Sequence, residues 1–343
     1  MGERVELVVD PRRGERVTVD LPISFRVPPD AARRSMGLPG SVDLGDPIVA
    51  KAVALLDAAR RATPTVPLAV LGGVAYRLSC PSSNRTDFGL RRPLHDLDIA
   101  CLHREIRRVR EMLVTLHELE GSGLQFFETA GDRIFNSLGE GQRFRYHMLL
   151  GAEDRRVSLG TVDLLADEFR FCHRLDLRSD VVEATSRGGT LSPALLLLTK
   201  LQYIRQIPEE DREKVPDRVL APFGRHDAVI GPETKDVQDV VALLLDHPFE
   251  ESPSGLSLRR IAGVVAGDWG LWRTVTLNVE MVRHSPTLAA LPPGVREEVA
   301  ARLGTLGEFL AALTPKRRLG FLGGPWWDEV DAQPSVDGTV EVG

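Results

Sequence analysis

The sequence predicts an α+β protein: a mixed sheet with flanking helices, followed by a helical C-terminal domain. Two observations carry this. Between residues 66 and about 188, short apolar strand-like runs alternate with helical patterns, whereas beyond Gly189 the apolar spacing is helical almost throughout. One of the strand-like runs, Leu94–Leu102, also carries two aspartates in alternation with core-type residues, so that run has one polar and one apolar face.

The elements follow in order. Val5, Leu7 and Val9, then Val17, Val19 and Leu21, alternate on either side of Asp10-Pro11-Arg12-Arg13-Gly14, which predicts an N-terminal β-hairpin extension. Ile48–Arg61 has the periodicity of an amphipathic helix. Val66–Leu71 reads as a buried strand that ends in Gly72-Gly73, and Val74–Leu78 as the start of a helix. Ser79–Arg92 reads as a loop, Leu94–Leu102 as a strand and His103–Glu118 as a helix. Short strands are expected near Leu124, near Ile134, over Phe144–Leu150 and over Val157–Leu165. Phe169, Phe171, Leu175 and Leu177 suggest one further strand pair. Ser192-Pro193 is an N-cap followed by proline at the first helical position, predicting a helix over Pro193–Gln206. Pro208–Pro232 reads as a loop or a short helical excursion and Glu233–Leu245 as a helix, with two or three more helices up to Leu313. The domain boundary is placed at residue 188, giving units 1–188 and 189–327, with a loose tail over 328–343.

The chain has 343 residues, 43% hydrophobic and 27% charged, which suffices for two domains of ordinary size. A net charge of −6 argues against a broad electrostatic grip on nucleic acid. Cys80, Cys101 and Cys172 form no CxxC pair and no disulfide framework. No apolar run follows Met1 as in a signal peptide, and stretches such as Leu195–Leu198 are too short to span a bilayer. A soluble, cytoplasmic protein with no membrane partner is expected.

The chemistry is concentrated in carboxylates. On a strand, Asp96 and Asp98 project to the same face with Cα atoms about 6–7 Å apart, while Leu97 and Ile99 point into the core. Two such carboxylates repel each other unless a cation lies between them, and magnesium with its oxygen ligands meets that need. A solvated edge strand is the alternative. Asp163 stands in the apolar run Val157–Leu165, where an acid is costly unless it is paired, bound to metal or at a strand end. Gly72-Gly73, between a strand and a helix, allows backbone to approach a phosphate, or makes a simple tight turn.

The order strand, Gly72-Gly73, helix, Asp96-Leu97-Asp98 strand and later Asp163 strand resembles the nucleotidyltransferase superfamily typified by DNA polymerase beta, over roughly residues 66–166. That resemblance implies a nucleotidyltransferase-type sheet and two magnesium ions held by Asp96, Asp98 and Asp163. It also implies an incoming nucleoside triphosphate at Gly72-Gly73, and Asp163 able to accept a proton from the acceptor hydroxyl. The gap between Gly73 and Asp96 departs from the pattern, and its Pro81–Gly89 insertion is either a substrate-contacting loop or an excursion. Leu197-Leu198-Thr199-Lys200-Leu201 followed by Lys235-Asp236-Val237-Gln238-Asp239-Val240 resembles the helical half of the nucleotidyltransferase toxins from abortive-infection toxin–antitoxin systems. Carried over, Lys200 contacts the triphosphate, Asp236 supports the reacting hydroxyl or the lysine, and Asp239 stands behind them. The blander reading makes Lys200 an exposed surface residue and the two acids a dipole-favouring first helical turn. Arg92 would reach a phosphate or remain solvated. The acceptor could be RNA, a protein side chain or a small molecule such as an aminoglycoside, and an antitoxin protein would be a partner. The competing function is a nucleotide- or partner-binding module without turnover.

Other motifs carry less. Asp87-Phe88-Gly89 lacks the loops that would make it a kinase metal motif. Cys101 with His103, and Cys172 with His173, lack zinc spacing. Arg104, Arg107, Arg108 and Arg110 read as one solvated helix face, with contact to an RNA backbone as the alternative. Trp326-Trp327 reads as packing for a terminal segment.

Overall fold

The structure, a computed structural model, describes residues 3–10, 15–21, 37–40, 42–120, 124–138, 142–150, 157–206, 229–313, 315 and 326–328. The N-terminal hairpin pairs β1 (Glu3–Asp10) with β2 (Glu15–Leu21) in antiparallel register. Helix α1 (Pro47–Arg61) begins where the Asp46 side chain accepts from the Ile48 and Val49 amides and Pro47 supplies a preset φ.

A five-stranded mixed sheet follows, in the order β3-β4-β7-β6-β5. It comprises β3 (Leu68–Leu71), β4 (Asp96–Cys101), β5 (Leu124–Phe127), β6 (Arg143–Leu150) and β7 (Val157–Ala166). Only β4 and β7 run parallel; every other pairing is antiparallel. Leu97 and Ile99 of β4, Val162 and Leu164 of β7, and Tyr146 and Met148 of β6 are buried. By strand alternation these six share one face. Helix α2 (Gly72–Ser79) leaves the end of β3 directly, and α3 (Ile106–Glu120) follows β4. The β8 (Glu168–Arg170) and β9 (Arg174–Asp176) pair and α5 (Arg178–Ala184) lead out of the sheet.

The strand expected near Ile134 is instead helix α4 (Ala130–Leu138). Thr129 and Asp132 cap it reciprocally: the Thr129 amide donates to Asp132 Oδ2 at 2.8 Å and the Asp132 amide to Thr129 Oγ1 at 3.1 Å. Ile134 lies on its solvent side. The helix beginning at Pro193 is shorter than expected: α6 spans Pro193–Leu201, and Arg205–Gln206 forms β10, paired with β11 (Val229–Ile230). Asn278 explains the early stop. Its side-chain amide donates to the Leu201 carbonyl at 2.8 Å and to the Tyr203 carbonyl at 2.6 Å, occupying acceptors that a continuing helix would use.

The remaining helices are α7 (Thr234–Asp246), α8 (Leu258–Val265), α9 (Trp269–Arg283), α10 (Pro286–Ala289) and α11 (Pro293–Ala312). One apolar core runs without a break from Leu68–Leu71 and Val162 through Leu195–Leu198 to Val240–Leu244 and Leu303–Leu310. Trp327 is buried in a smaller cluster with Cys172, Ile204, Val229 and Leu277, and Trp326 donates to Thr274 Oγ1 at 3.1 Å, so the tryptophan pair packs as expected. Most of the expected loop over 208–232, up to residue 228, and of the tail over 328–343, from residue 329, lies outside the described residues. No described helix is long and apolar enough to cross a membrane.

Candidate active site

The polar face of the sheet is organised in cross-strand rows. One row runs Leu71–Asp98–Asp163–Arg145 across β3, β4, β7 and β6, and its neighbour runs Asp96–Thr161–His147 across β4, β7 and β6. Residues directly paired across strands point to the same side. Asp96, Asp98 and Asp163 therefore share one face: alternation implies it for Asp96 and Asp98, and the β4–β7 register adds Asp163.

Two glycines allow this assembly. Gly72 has φ +63°, and a Cβ there would stand 1.9 Å from Asp98 Oδ2, so only glycine lets the β3–α2 turn close over that carboxylate. Gly160 has φ +138°, and its Cβ would fall 1.6 Å from the His95 carbonyl oxygen, which accepts from the Thr161 amide at 3.1 Å. Glycine at 160 thus brings the start of β4 against β7 and fixes where Asp96 emerges. Gly73 lies against Arg92, its Cβ position 2.4 Å from the Arg92 guanidinium.

The three acids differ in surroundings. Asp96 is exposed. Asp98 is partly buried and accepts no hydrogen bond from any described residue. Burial, then the Asp96 and Asp163 charges, push its carboxyl up to about 7. Asp163 is buried and fully engaged: Arg145 Nε donates to Oδ1 at 2.7 Å, and Arg145 Nη2 and Arg143 Nη2 each donate to Oδ2 at 2.7 Å. Burial alone would raise the Asp163 carboxyl, but the Arg145 hydrogen bonds and the two guanidinium charges outweigh it and hold it below the ordinary aspartate value. Phe135 of α4 lies over both arginines, at 5.1 and 5.3 Å from ring centroid to guanidinium carbon.

A second cluster joins the helices to the sheet end. Lys200 Nζ of α6 is 2.8 Å from Asp236 Oδ1 and 3.0 Å from Asp239 Oδ2, both on α7. Arg92 donates to Asp239 through Nη2 at 2.8 Å and Nε at 3.2 Å. Lys200, an exposed residue in the blander reading of the sequence, is only 12% exposed, because α6 packs against α7 and beneath α2, with Tyr76 reaching the Leu196 carbonyl at 2.7 Å. Burial works against the Lys200 charge, but the Asp239 and Asp236 carboxylates outweigh it and hold its pKa above the usual lysine value. The same balance holds Asp239 low: burial opposes its charge, and Lys200 and Arg92 overcome that. Asp236 also closes a capping box with Glu233 at the start of α7, so it has a structural task beside its contact with Lys200.

The Pro81–Gly89 insertion is held to α7 and the α2 end. Ser82 donates to Asp246 through its amide and hydroxyl, at 2.7 and 2.8 Å, and Gln238 donates to the Gly89 carbonyl at 2.7 Å. Arg77 of α2 donates to the carbonyls of Ser83 and Arg92 from inside the fold, which places Arg92. Sequence reasoning missed Arg77, Arg143 and Arg145. The signal for the last two lies in Arg143-Phe144-Arg145-Tyr146-His147, whose strict alternation puts cations on one strand face.

The donor set fits one hard cation better than two. Asp96 and Asp98 offer oxygens that accept no hydrogen bond from the described residues, and a carboxylate at Asp98 opposed by burial and two neighbouring acids favours a divalent ion. Both Asp163 oxygens already accept from arginine, and among the described residues no group of three or more His, Cys, Asp or Glu side chains is gathered as a metal-binding set. Comparison with protein families finds none that matches the chain, and comparison with curated proteins finds no significant relative.

Proposed function

We propose that the chain is a magnesium-dependent nucleotidyltransferase that moves a nucleoside monophosphate from a nucleoside triphosphate to a hydroxyl acceptor. The observation that carries this reading is Asp98, a carboxylate with no donor among the described residues, closed over by the positive-φ Gly72 and neighboured by exposed Asp96. The sheet would then be of nucleotidyltransferase type.

In this reading Asp96 and Asp98 hold magnesium, which supplies charge neutralisation at the phosphates and activates the attacking oxygen. The Gly72-Gly73 turn at the start of α2 presents backbone amides to the triphosphate. Lys200 and Arg92 supply positive charge from the helical side, kept in place by Asp236 and Asp239. Asp163 orients Arg143 and Arg145 toward the same face. The pattern of Lys200 and Asp236 extends the proposal to a toxin whose antitoxin is a separate protein, with RNA, protein or a small molecule as acceptor.

One observation favours a second reading. With both Asp163 oxygens engaged by arginine, the site would bind a nucleotide without turning it over. Incubation with the four common nucleoside triphosphates, α-labelled, and increasing magnesium separates the two. Label transferred to RNA, protein or an aminoglycoside supports the enzyme. Saturable binding with no transfer supports the binding module, and a protein that neither binds nor transfers sinks both.

A further inference from the structure

His147 stands on the same sheet face as the carboxylates. It is cross-strand neighbour to Thr161, which in turn neighbours Asp96. Two strand spacings place the His147 and Asp96 Cα atoms about 10 Å apart. Thr161, with its short side chain, is the residue that stands between them.

The imidazole is held from behind. Its Nδ1 is 2.8 Å from Asp132 Oδ2, and Asp132 is buried and accepts from the Thr129 amide and hydroxyl at 2.8 and 2.7 Å. Asn136 fixes α4, which carries Asp132, onto β6. Its side chain bonds both the amide and the carbonyl of Arg145, at 2.6 and 3.0 Å, where β5 has already ended at Phe127. His147 Nε2 has no hydrogen-bond partner among the described residues, nor is it sealed off as a buried unsatisfied atom. A carboxylate on one ring nitrogen fixes the proton there and leaves the other nitrogen free to accept one. The carboxylate expected to accept a proton, Asp163, is already bonded through both oxygens.

We propose that His147 is the general base of this site, with Asp132 as its positioning residue; this rests on the nucleotidyl-transfer reading above. As the acceptor hydroxyl oxygen bonds to the α-phosphorus, His147 Nε2 takes the hydroxyl proton. The bond from the α-phosphorus to the bridging oxygen breaks, and pyrophosphate leaves with that electron pair. Asp132 stabilises the resulting imidazolium, which then returns its proton to solvent.

The test uses the full chain, α-labelled ATP, CTP, GTP and UTP, and total RNA and total protein of a cell extract as acceptors. His147→Ala should lower transfer by about 100-fold or more while triphosphate affinity stays unchanged, and Asp132→Asn should lower it less. Added imidazole should restore part of the His147→Ala rate in proportion to its neutral fraction, which a purely structural loss would not allow. Independently of activity, nitrogen-resolved NMR at alkaline pH should find the His147 proton on Nδ1 in the wild type and less so in Asp132→Asn. Wild-type rates in both variants, a loss that imidazole does not relieve, or a proton on Nε2 would each overturn the role of His147 and leave nucleotidyl transfer standing. A wild-type protein that neither binds the triphosphates nor transfers label overturns the function reading and the base assignment together.

Discussion

Asp98 and Asp163 are directly paired across the parallel β4–β7 ladder, yet their carboxylates are held in opposite directions from the ordinary aspartate value. Arg145 and Arg143 engage both oxygens of Asp163, whereas Asp98 faces burial and two neighbouring negative charges without a donor among the described residues. The site therefore divides into a satisfied, structural half and an unsatisfied, reactive half.

The raised Asp98 carboxyl makes a stability prediction. A carboxyl whose folded pKa exceeds its unfolded value stabilises the protein fully below the unfolded value, and that contribution is lost as pH rises through the folded one. Between 3.8 and about 7 the wild type should therefore lose stability relative to Asp98→Asn. The difference above that window should be on the order of 2–4 kcal/mol. Urea unfolding of both proteins at acid and alkaline pH measures it, and parallel pH profiles would count against the unsatisfied carboxylate.

Magnesium binding should release protons. An ion on Asp96 and Asp98 requires the ionised form, and near pH 7 a substantial fraction of Asp98 is protonated. Calorimetry in buffers of different ionisation heat should detect a proton yield that disappears in Asp98→Asn. In thermal melts, magnesium with a triphosphate should raise the Tm of the wild type, and Asp98→Asn should lose most of that rise without unfolding.

Lys200→Ala should destabilise the fold. Removal of the lysine leaves Asp236 and Asp239 with one buried cation, Arg92, between them. Loss of one member of a buried ion cluster costs roughly 3–5 kcal/mol. Denaturant midpoints for Lys200→Ala, Asp239→Asn and the double variant should show strong coupling, the double variant being less impaired than the two singles added together. Simple additivity would return Lys200 to the status of an ordinary surface residue.

Gly72→Ala and Gly160→Ala separate site from scaffold. The first places a methyl group on Asp98 Oδ2 at a residue with φ +63°, so magnesium-dependent triphosphate binding should be lost beside a stability cost of about 1–2 kcal/mol. The second drives a methyl group into the His95 carbonyl in a backbone conformation unfavourable for alanine, so stability itself should fall by at least about 1–3 kcal/mol. Circular dichroism with binding calorimetry on each variant checks both outcomes.

Sequence alone carried the strand–glycine–helix–strand order, from local patterning, and the shared face of Asp96 and Asp98, from strand alternation; Asp163 was implied beside them only by the family resemblance, and it joins them through the β4–β7 register. Three details needed tertiary contacts. The stop of α6 at Leu201 depends on Asn278, which is 77 residues away. The burial of Lys200 depends on how α6 packs against α7, which no local pattern encodes. The engagement of Asp163 depends on β6 pairing with β7 in one particular register. The helix at Ile134 was a local misreading, since the Thr129–Asp132 capping box stands in the sequence, and the helix over Arg178–Ala184 was not read at all.

The interleaving of charges around the carboxylates also governs how the site is felt from a distance. Asp96, Asp98, Asp163, Asp236 and Asp239 face Arg92, Arg143, Arg145 and Lys200, which leaves a single excess negative charge, or none when Asp98 is protonated. Such a self-cancelling array projects little field beyond a Debye length and cannot pull a bare polyanion from solution. Encounter would be ruled by diffusion and shape, with an association rate nearly indifferent to ionic strength. Attraction would begin only at contact, for an anion that arrives with its own divalent cation.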